Sequence, residues 1–227
     1  MERLYSLTED YGLGLLTEAD KSVLSVGIST AGAAEIQMAQ RLSERRIIAT
    51  TIDRSGVGLA QDAVKNAGVS DQVEVRMEDI ASDLPYADET FDFIYARLVL
   101  HYLPKQQLEK AAQNIARVLH GGGKLFVVVR STDCLEAKDP KSLYDPTTCM
   151  TTYHTIDRPD VTASRYFHSD DSITDVLTRH GFVIDELTHE KEALAFGFER
   201  DELSSHEDDL IQLIARKSSH VEFEKNI

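Results

Sequence analysis

From residue 22 to residue 130 the chain alternates short β-rich runs with stretches of helical periodicity, and no other feature constrains its fold as strongly. Parallel strands need a crossover long enough to hold a helix, so strand, helix and strand in succession read as βαβ units building a parallel sheet covered on both faces. Residues 23–27, VLSVG, read as a buried first strand, followed by a helix with Ile36, Ala39 and Leu42 on one face. A second strand, IIATTID, closes at Asp53. Ser55 is the expected N-cap of the next helix, whose face carries Ala60, Ala63, Val64 and Ala67 and which stops at Gly68. VEVRM is the third strand and, after a loop at Pro85, FDFIYA is the fourth. The spacing of Leu108, Ala112, Ile115 and Leu119 predicts a helix ended by Gly121 to Gly123, and KLFVVV follows as the fifth strand.

Periodicity then fades over residues 131–165, where Pro, Asp, Thr and both cysteines gather. This stretch reads as a lid or substrate-binding insertion within a single domain spanning residues 1–227. Regularity returns with Ser169 as N-cap, Ile173, Val176 and Leu177 on a helical face, Gly181 as stop, and FVIDEL and LIQLIARK as the last two strands. Their connection, which contains Gly197, is short and polar, too little for a crossover helix, so this pair is expected to run antiparallel. The tail from Ser218 is polar and is expected to fray.

Lys and Arg number 24 against 39 Asp and Glu, a formal net charge of −15. Such a field repels phosphate backbones, and no basic run exceeds a pair such as Arg45-Arg46, which argues against a nucleic-acid partner. No stretch approaches the ~18 apolar residues of a membrane span, and the opening MERLYSLTEDYG lacks the apolar core of a signal peptide. Cys134 and Cys149 lack the paired spacing of a zinc or redox site and read as reduced thiols. A soluble cytoplasmic protein is the expectation, with its oligomeric state open.

The first strand runs into Gly27-Ile28-Ser29-Thr30-Ala31-Gly32 and then a helix. Small residues there let backbone amides approach a ligand lying across the strand ends, or serve only as a tight connection. Asp53 ends the second strand about 20 residues further on, where a carboxylate can accept both hydroxyl protons of a ribose. As a surface acid it would instead cap the following helix. Together the two features point to an adenosine-containing ligand, and a dinucleotide and S-adenosylmethionine both satisfy them.

The run EDIASDLPYADETFDFIYARLVLHYLP from Glu78, followed by ARVLHGGGKLFVVV and later by LTRHGFVIDEL, resembles the class I S-adenosylmethionine-dependent methyltransferase family over roughly residues 22–217. The resemblance implies a Rossmann-like α/β fold, a doubly wound seven-strand sheet with the last strand pair antiparallel. It also implies S-adenosyl-L-methionine as cofactor and methyl transfer to an oxygen or nitrogen of a small molecule. The family's first-strand motif, an acid followed by G-x-G-x-G, matches Ser25 through Ala31. Gly27 is the first glycine, Ser25 stands in place of the acid, and Ser29 and Ala31 replace the second and third glycines, with Gly32 following. By the same match Asp53 is the ribose acid with Arg54 beside it, Asp79 takes the adenine amino group, Ile80 forms the apolar side of the adenine slot, and Ala96 and Arg97 line the methionine end.

An oxygen nucleophile needs its proton removed, and histidine is the natural base near neutral pH. His101 stands where the fourth strand gives way to a helix and is the first candidate; its alternative role is to anchor that junction. Tyr102 would orient substrate or simply pack, and His154 and His168 flank the lid. The N/D-P-P-Y/F motif of base-methylating relatives is absent, since the chain reads Tyr95-Ala96-Arg97-Leu98 there. No Pro-Cys nucleophile, no acidic pair for magnesium and no zinc-type Cys/His set is present, so no metal is expected. A metal-free small-molecule methyltransferase is therefore the leading expectation. Its rivals are an inactive or repurposed member of the family, and a nicotinamide-dependent dehydrogenase, which lacks a Tyr-x-x-x-Lys pair after the fourth strand.

Overall fold

The computed structural model describes residues 6–196 and 202–219. The chain opens with α1 (Leu7–Gly14), β1 (Ser22–Val26), α2 (Ala33–Arg41), β2 (Arg46–Thr51), α3 (Gly56–Asn66) and β3 (Val73–Met77). It continues through β4 (Phe91–Arg97), a 3₁₀ turn (Leu100–Tyr102), α4 (Lys105–Val118) and β5 (Leu119–Arg130). Then come α5 (Leu135–Lys138), β6 (Leu143–Asp145), β7 (Met150–His154), β8 (Thr162–Arg165), α6 (Asp170–Arg179) and β9 (Phe182–Glu192). Short strands β10 (Ala195–Phe196) and β11 (Glu202–Leu203) precede β12 (Asp208–Lys217).

Seven strands form one sheet in the order β3-β2-β1-β4-β5-β12-β9. β1 pairs parallel with β2 and β4, and β4 with β5, whereas β12 runs antiparallel to both β5 and β9. This is the Rossmann-like seven-strand sheet that the resemblance implies, with the parallel pairing expected from the alternation and the antiparallel last pair expected from the short final connection. Both faces are covered, which is why the central strands read as continuous apolar runs. Leu24, Val26, Ile94, Leu125 and Val127 cluster with Leu108 and Ile115 of α4 and Ile173 and Leu177 of α6. Val23, Ile47, Ala49, Phe93 and Phe126 cluster on the other face with Leu13 of α1, Met38 of α2 and Val64 of α3. Burying each such aliphatic side chain contributes roughly 1.5–3 kcal/mol.

Element boundaries depart from expectation for local reasons. β2 ends at Thr51, and Asp53 lies in the turn beyond it. Ser55 has helical dihedrals and does not cap α3; its hydroxyl donates to Asp53 Oδ1 instead. α2 stops at Arg41, so Leu42 leaves the helix and Ala34, Met38 and Ala39 carry its apolar buried face. α4 ends at Val118 before the glycines, because Leu119 already pairs with Phe91, and the register shifts before Phe93 meets Lys124. Gly121 to Gly123 fall within that irregularity of β5. Arg45 is buried despite its charge and donates to the carbonyls of Thr17, Asp20 and Met38 at 2.7–2.8 Å.

Helix α1 lies outside the alternation, yet it carries a sequence signal in Ser6-x-x-Glu9: the Ser6 hydroxyl accepts from the Glu9 amide at 3.1 Å. Residues 131–165 hold α5 and a three-stranded antiparallel sheet, β6-β7-β8, in place of an aperiodic loop. Its strands escape sequence reading because β6 is exposed throughout and β7 buries only Thr151 and Tyr153. Ser169 caps α6 through a reciprocal box with Ser172, as expected. The connection around Gly197 and the tail beyond residue 219 lie outside the described residues. Among the described residues no helix is long and apolar enough to cross a membrane.

Candidate cofactor and substrate site

The chain leaves β1 toward β2 and β3 on one side and returns to its other side at β4. The crevice at the carboxyl ends of β1 and β4 is thus the switch point at which open α/β sheets bind ligands. Gly27 follows β1 with a φ of 85°, and a Cβ there would lie 3.0 Å from Val99 Cγ2 in the turn after β4. Left-handed backbone and that close approach together call for glycine. Leu98, with a φ of 55°, holds the left-handed region without being glycine, so the second turn bordering the crevice stores backbone strain. Gly32 opens α2 with no side-chain cap, which leaves its first-turn amides suited to a polar ligand. Ser29 is half-buried between these glycines, its carbonyl accepting from the Gly32 amide at 3.0 Å.

Asp53 is exposed beyond β2, and its Oδ1 accepts from the Ser55 amide at 2.9 Å and hydroxyl at 2.6 Å. Those bonds hold its carboxyl below the usual carboxylate range, so it is an anion at neutral pH. Gly56, which sequence reasoning missed, makes room for it: a Cβ there would sit 2.7 Å from Asp53 Oδ2. Arg54 is exposed alongside. Asp79 is exposed beyond β3, with Oδ1 accepting from the Ala81 amide at 2.9 Å. Ile80 is no exposed wall: it is packed in the core with Leu84 and Tyr86, and its carbonyl accepts from Asn114 Nδ2 at 2.8 Å. Asn114 also donates to the Ser82 carbonyl, pinning the Asp79 loop to α4. Its signal is a polar residue on the buried face of an amphipathic helix.

Ala96 is fully buried, so its side chain belongs to the core. Arg97 does not line an open methionine end: it pairs with Glu192 at 2.7 Å and donates to Thr8 Oγ1 and Ser6 Oγ at 2.8 and 2.7 Å. Glu9 lies 3.9 Å away, so Arg97 ties α1 and β9 together across the end of β4.

His101 is buried, its Nδ1 accepting from the Arg130 amide at 3.3 Å and its carbonyl from the Tyr166 amide at 2.8 Å. Burial, with Arg165 and Arg130 nearby, pushes its pKa well below 6.5. Of its two readings the geometry therefore supports the anchor. His168 is also fully buried, meets Ser172 Oγ at 3.2 Å and stacks on Tyr166 with centroids 4.0 Å apart. Burial pushes its pKa down to about 3, which leaves it no basicity to use at neutral pH. His154 is exposed at the end of β7. Tyr102 is exposed, with the Arg165 guanidinium 3.8 Å from its ring centroid, a cation–π contact joining the crevice rim to β8.

Arg130, at the end of β5, carries a role that sequence reasoning missed. It donates to Glu136 Oε1 and Tyr153 Oη, each at 2.9 Å, and to Asp208 Oδ1. Cys134, Glu136 and Asp208 bring a thiol and two carboxylates within 4.8 Å of one another, and the guanidinium supplies the positive charge among them. Both cysteines are free thiols.

A family model described as a methyltransferase domain matches residues 24–127. The O-methyltransferase resE of Aspergillus sclerotiorum is 33% identical over 134 residues, covering 59% of this chain and 48% of its own length. The 27-O-demethylrifamycin SV methyltransferase of Amycolatopsis mediterranei (strain S699) is 32% identical over 135 residues, covering 58% of this chain and 48% of its own length. The chain thus spans about half the length of these curated relatives. A SAM-dependent methyltransferase structure from Methanosarcina mazei matches with a TM-score of 0.74 at 19% identity, covering 96% of this chain and 99% of that one, a likeness of fold.

Proposed function

We propose that the chain is a class I S-adenosylmethionine-dependent methyltransferase, a reading supported by the methyltransferase-domain match over residues 24–127, and that it transfers the methyl group of S-adenosyl-L-methionine to an oxygen or nitrogen of a small molecule. The observation that carries this reading is the switch point between the ends of β1 and β4, bordered by Gly27, whose left-handed backbone and close approach to Val99 call for glycine. The residues fit the cofactor. Asp53 offers an anionic carboxylate to ribose hydroxyls, Asp79 an exposed carboxylate to the adenine amino group, and Gly27, Ser29 and Gly32 a turn of small residues for close backbone approach. Tyr95 adds a buried hydroxyl without a partner on the strand next to β1.

When bound, the cofactor supplies a methyl group already activated on a sulfonium. The chain's own task is then to exclude water and hold an acceptor in line. Residues 131–165 are read as the lid that does so, with Tyr102 and His154 on the acceptor's side. With His101 and His168 held neutral and buried, the acceptor must reach its lone-pair form without them, as an amine or an acidic hydroxyl does. Relatives whose names specify O-methylation, the two described above among them, favour oxygen. A net charge of −15 suits a neutral or cationic small molecule over nucleic acid, and two unpaired cysteines suit the cytoplasm.

A second reading is a family member that binds the nucleoside without transferring methyl, and it is favoured by Ser29 and Ala31 in place of glycines. Titration calorimetry with S-adenosylmethionine and S-adenosylhomocysteine tests the cofactor, and mass spectrometry of co-purifying material identifies the acceptor. Wild type is expected to bind both nucleosides, and Asp53→Ala to bind them more weakly, by about tenfold or more, as its charge-assisted hydrogen bonds go. Unchanged affinity would remove Asp53 from the ribose. Binding without turnover on any co-purified acceptor would select the second reading.

A further inference from the structure

Arginines withdrawn from water elsewhere in the described residues have their charge or their donors matched. Arg76, Arg97, Arg117 and Arg130 each pair with a carboxylate, and Arg45 donates to three carbonyls. Arg165, half-buried at the end of β8, differs. Its Nη1 donates to the Ser164 carbonyl at 2.7 Å and its guanidinium lies 3.8 Å from the Tyr102 ring centroid. Among the described residues it meets no carboxylate, in a chain with 39 acids against 24 Lys and Arg. A guanidinium over a ring engages it through its face, so the N–H groups along its edge stay available to another acceptor. Backbone bonds fix where that edge lies: the Tyr166 amide donates to the His101 carbonyl at 2.8 Å, and the Tyr102 amide to the Val99 carbonyl at 3.1 Å. Val99 is the residue that Gly27 approaches, so Arg165 stands beside the 3₁₀ turn that borders the switch point. After burial, its charge is the largest influence holding the His101 pKa down.

We propose that Arg165 receives a carboxylate on the methyl acceptor, which makes that acceptor a small carboxylic acid with its oxygen or nitrogen nucleophile elsewhere on the molecule. The proposal rests on the transfer reading above and names the substrate class which that reading leaves open. A planar fork of N–H groups matches the two oxygens of a carboxylate, and stacking on Tyr102 sets the plane of the fork before the ligand arrives. Such ordering in advance lowers the cost of binding. The net charge of −15 does not prevent this, because exposed charges more than about 8 Å away are largely screened at physiological salt, and a carboxylate at hydrogen-bond distance responds to the nearest charge. An acceptor that also carries an amine is neutral overall and meets no long-range repulsion. Arg165 positions the acceptor and takes no part in the transfer itself, and Tyr102 acts on the acceptor through Arg165.

The test gives the protein S-adenosylmethionine with a deuterated methyl group and a defined set of hydroxy and amino carboxylic acids, each beside its uncharged primary amide, with 2-hydroxybenzoate and 2-hydroxybenzamide as one pair and 3-aminopropanoate and its amide as another. Mass spectrometry reads the label, which should appear in acids at about ten times or more its level in the matching amides. For the acid turned over fastest, Arg165→Gln should raise KM about tenfold to a hundredfold, the range for lost charge-assisted hydrogen bonds, change kcat by about threefold at most, and abolish the preference over the amide. Arg165→Lys, which keeps the charge and loses the fork, should fall between. Both variants should bind S-adenosylhomocysteine within about twofold of wild type by titration calorimetry, which shows that they are folded. Equal label in acids and amides, or variants that slow both members of a pair alike, would overturn the proposal, reduce Arg165 to a brace between β8 and the 3₁₀ turn and leave the transfer reading standing. Label in neither series would also overturn it, and S-adenosylhomocysteine binding by the same protein would show that the cofactor reading survives. Wild type that binds no S-adenosylhomocysteine would overturn the cofactor reading and this proposal with it.

Discussion

His101 and His168 are imidazoles held uncharged by burial, and the cost of charging them falls on the fold. Each binds fewer protons folded than unfolded at any pH between its folded pKa and 6.5, so the stability it contributes is full above about 6.5 and declines as pH falls. For His168 that window runs from 6.5 down to about 3. Each histidine should then cost on the order of 1 kcal/mol per pH unit within its window. Urea unfolding at pH 7 and pH 5 measures this, and His168→Asn, which keeps an acceptor toward Ser172, should flatten the dependence by about half. Equal stability at the two pH values would mean that neither ring is buried as described. The candidate positions Gly27 and Asp53 were legible in the sequence because they sit at strand ends, and strand ends follow from periodicity, whereas Asp79 rests on the family resemblance alone. The fates of Ile80, Ala96 and His101 were not, because burial depends on what packs over a residue and not on its neighbours in the chain.

Among the elements, the segment between β5 and α6 departs furthest from its sequence appearance. Its small sheet is fastened to the main one through Arg130, whose guanidinium joins Glu136 of α5, Tyr153 of β7 and Asp208 of β12. Both carboxylates are 5% exposed at the side chain, so removing their counter-charge strands them in a poorly solvated place. Arg130→Met should therefore lower stability by about 3–5 kcal/mol in urea unfolding. Replacing Arg130, Glu136 and Asp208 together with apolar residues of similar volume should restore most of it. Arg130→Met should also speed limited proteolysis within residues 131–165. A variant with wild-type stability and cutting rate would show that other contacts hold the small sheet in place.

At the scale of the whole molecule, a charge of −15 makes the folded surface repel itself, although many acids are locally paired, as in Lys21 with Glu44 and Arg216 with Asp185. Isolated surface pairs contribute little each, so screening the net repulsion should outweigh screening the pairs. The melting midpoint should rise as salt increases toward physiological strength, by about 2–4 °C for each kcal/mol of repulsion relieved. Differential scanning calorimetry over a salt series reads this directly. A midpoint that falls with salt would mean that specific ion pairs dominate the balance.

The order of strands and helices from β1 through β5 and the antiparallel last pair were determined by the sequence alone. Hydrophobic period and turn residues are local properties, and parallel connections leave few ways to assemble them. Three-dimensional packing alone decided that α1 closes over Arg97, that a buried arginine fastens the small three-stranded sheet, and that Glu35 meets Ser25. Arg97 and Glu192 are 95 residues apart, and Arg130 and Asp208 are 78 apart. Pairing between charges that distant leaves no periodic trace in the chain, because each partner alone looks like an ordinary surface residue until the fold removes it from water.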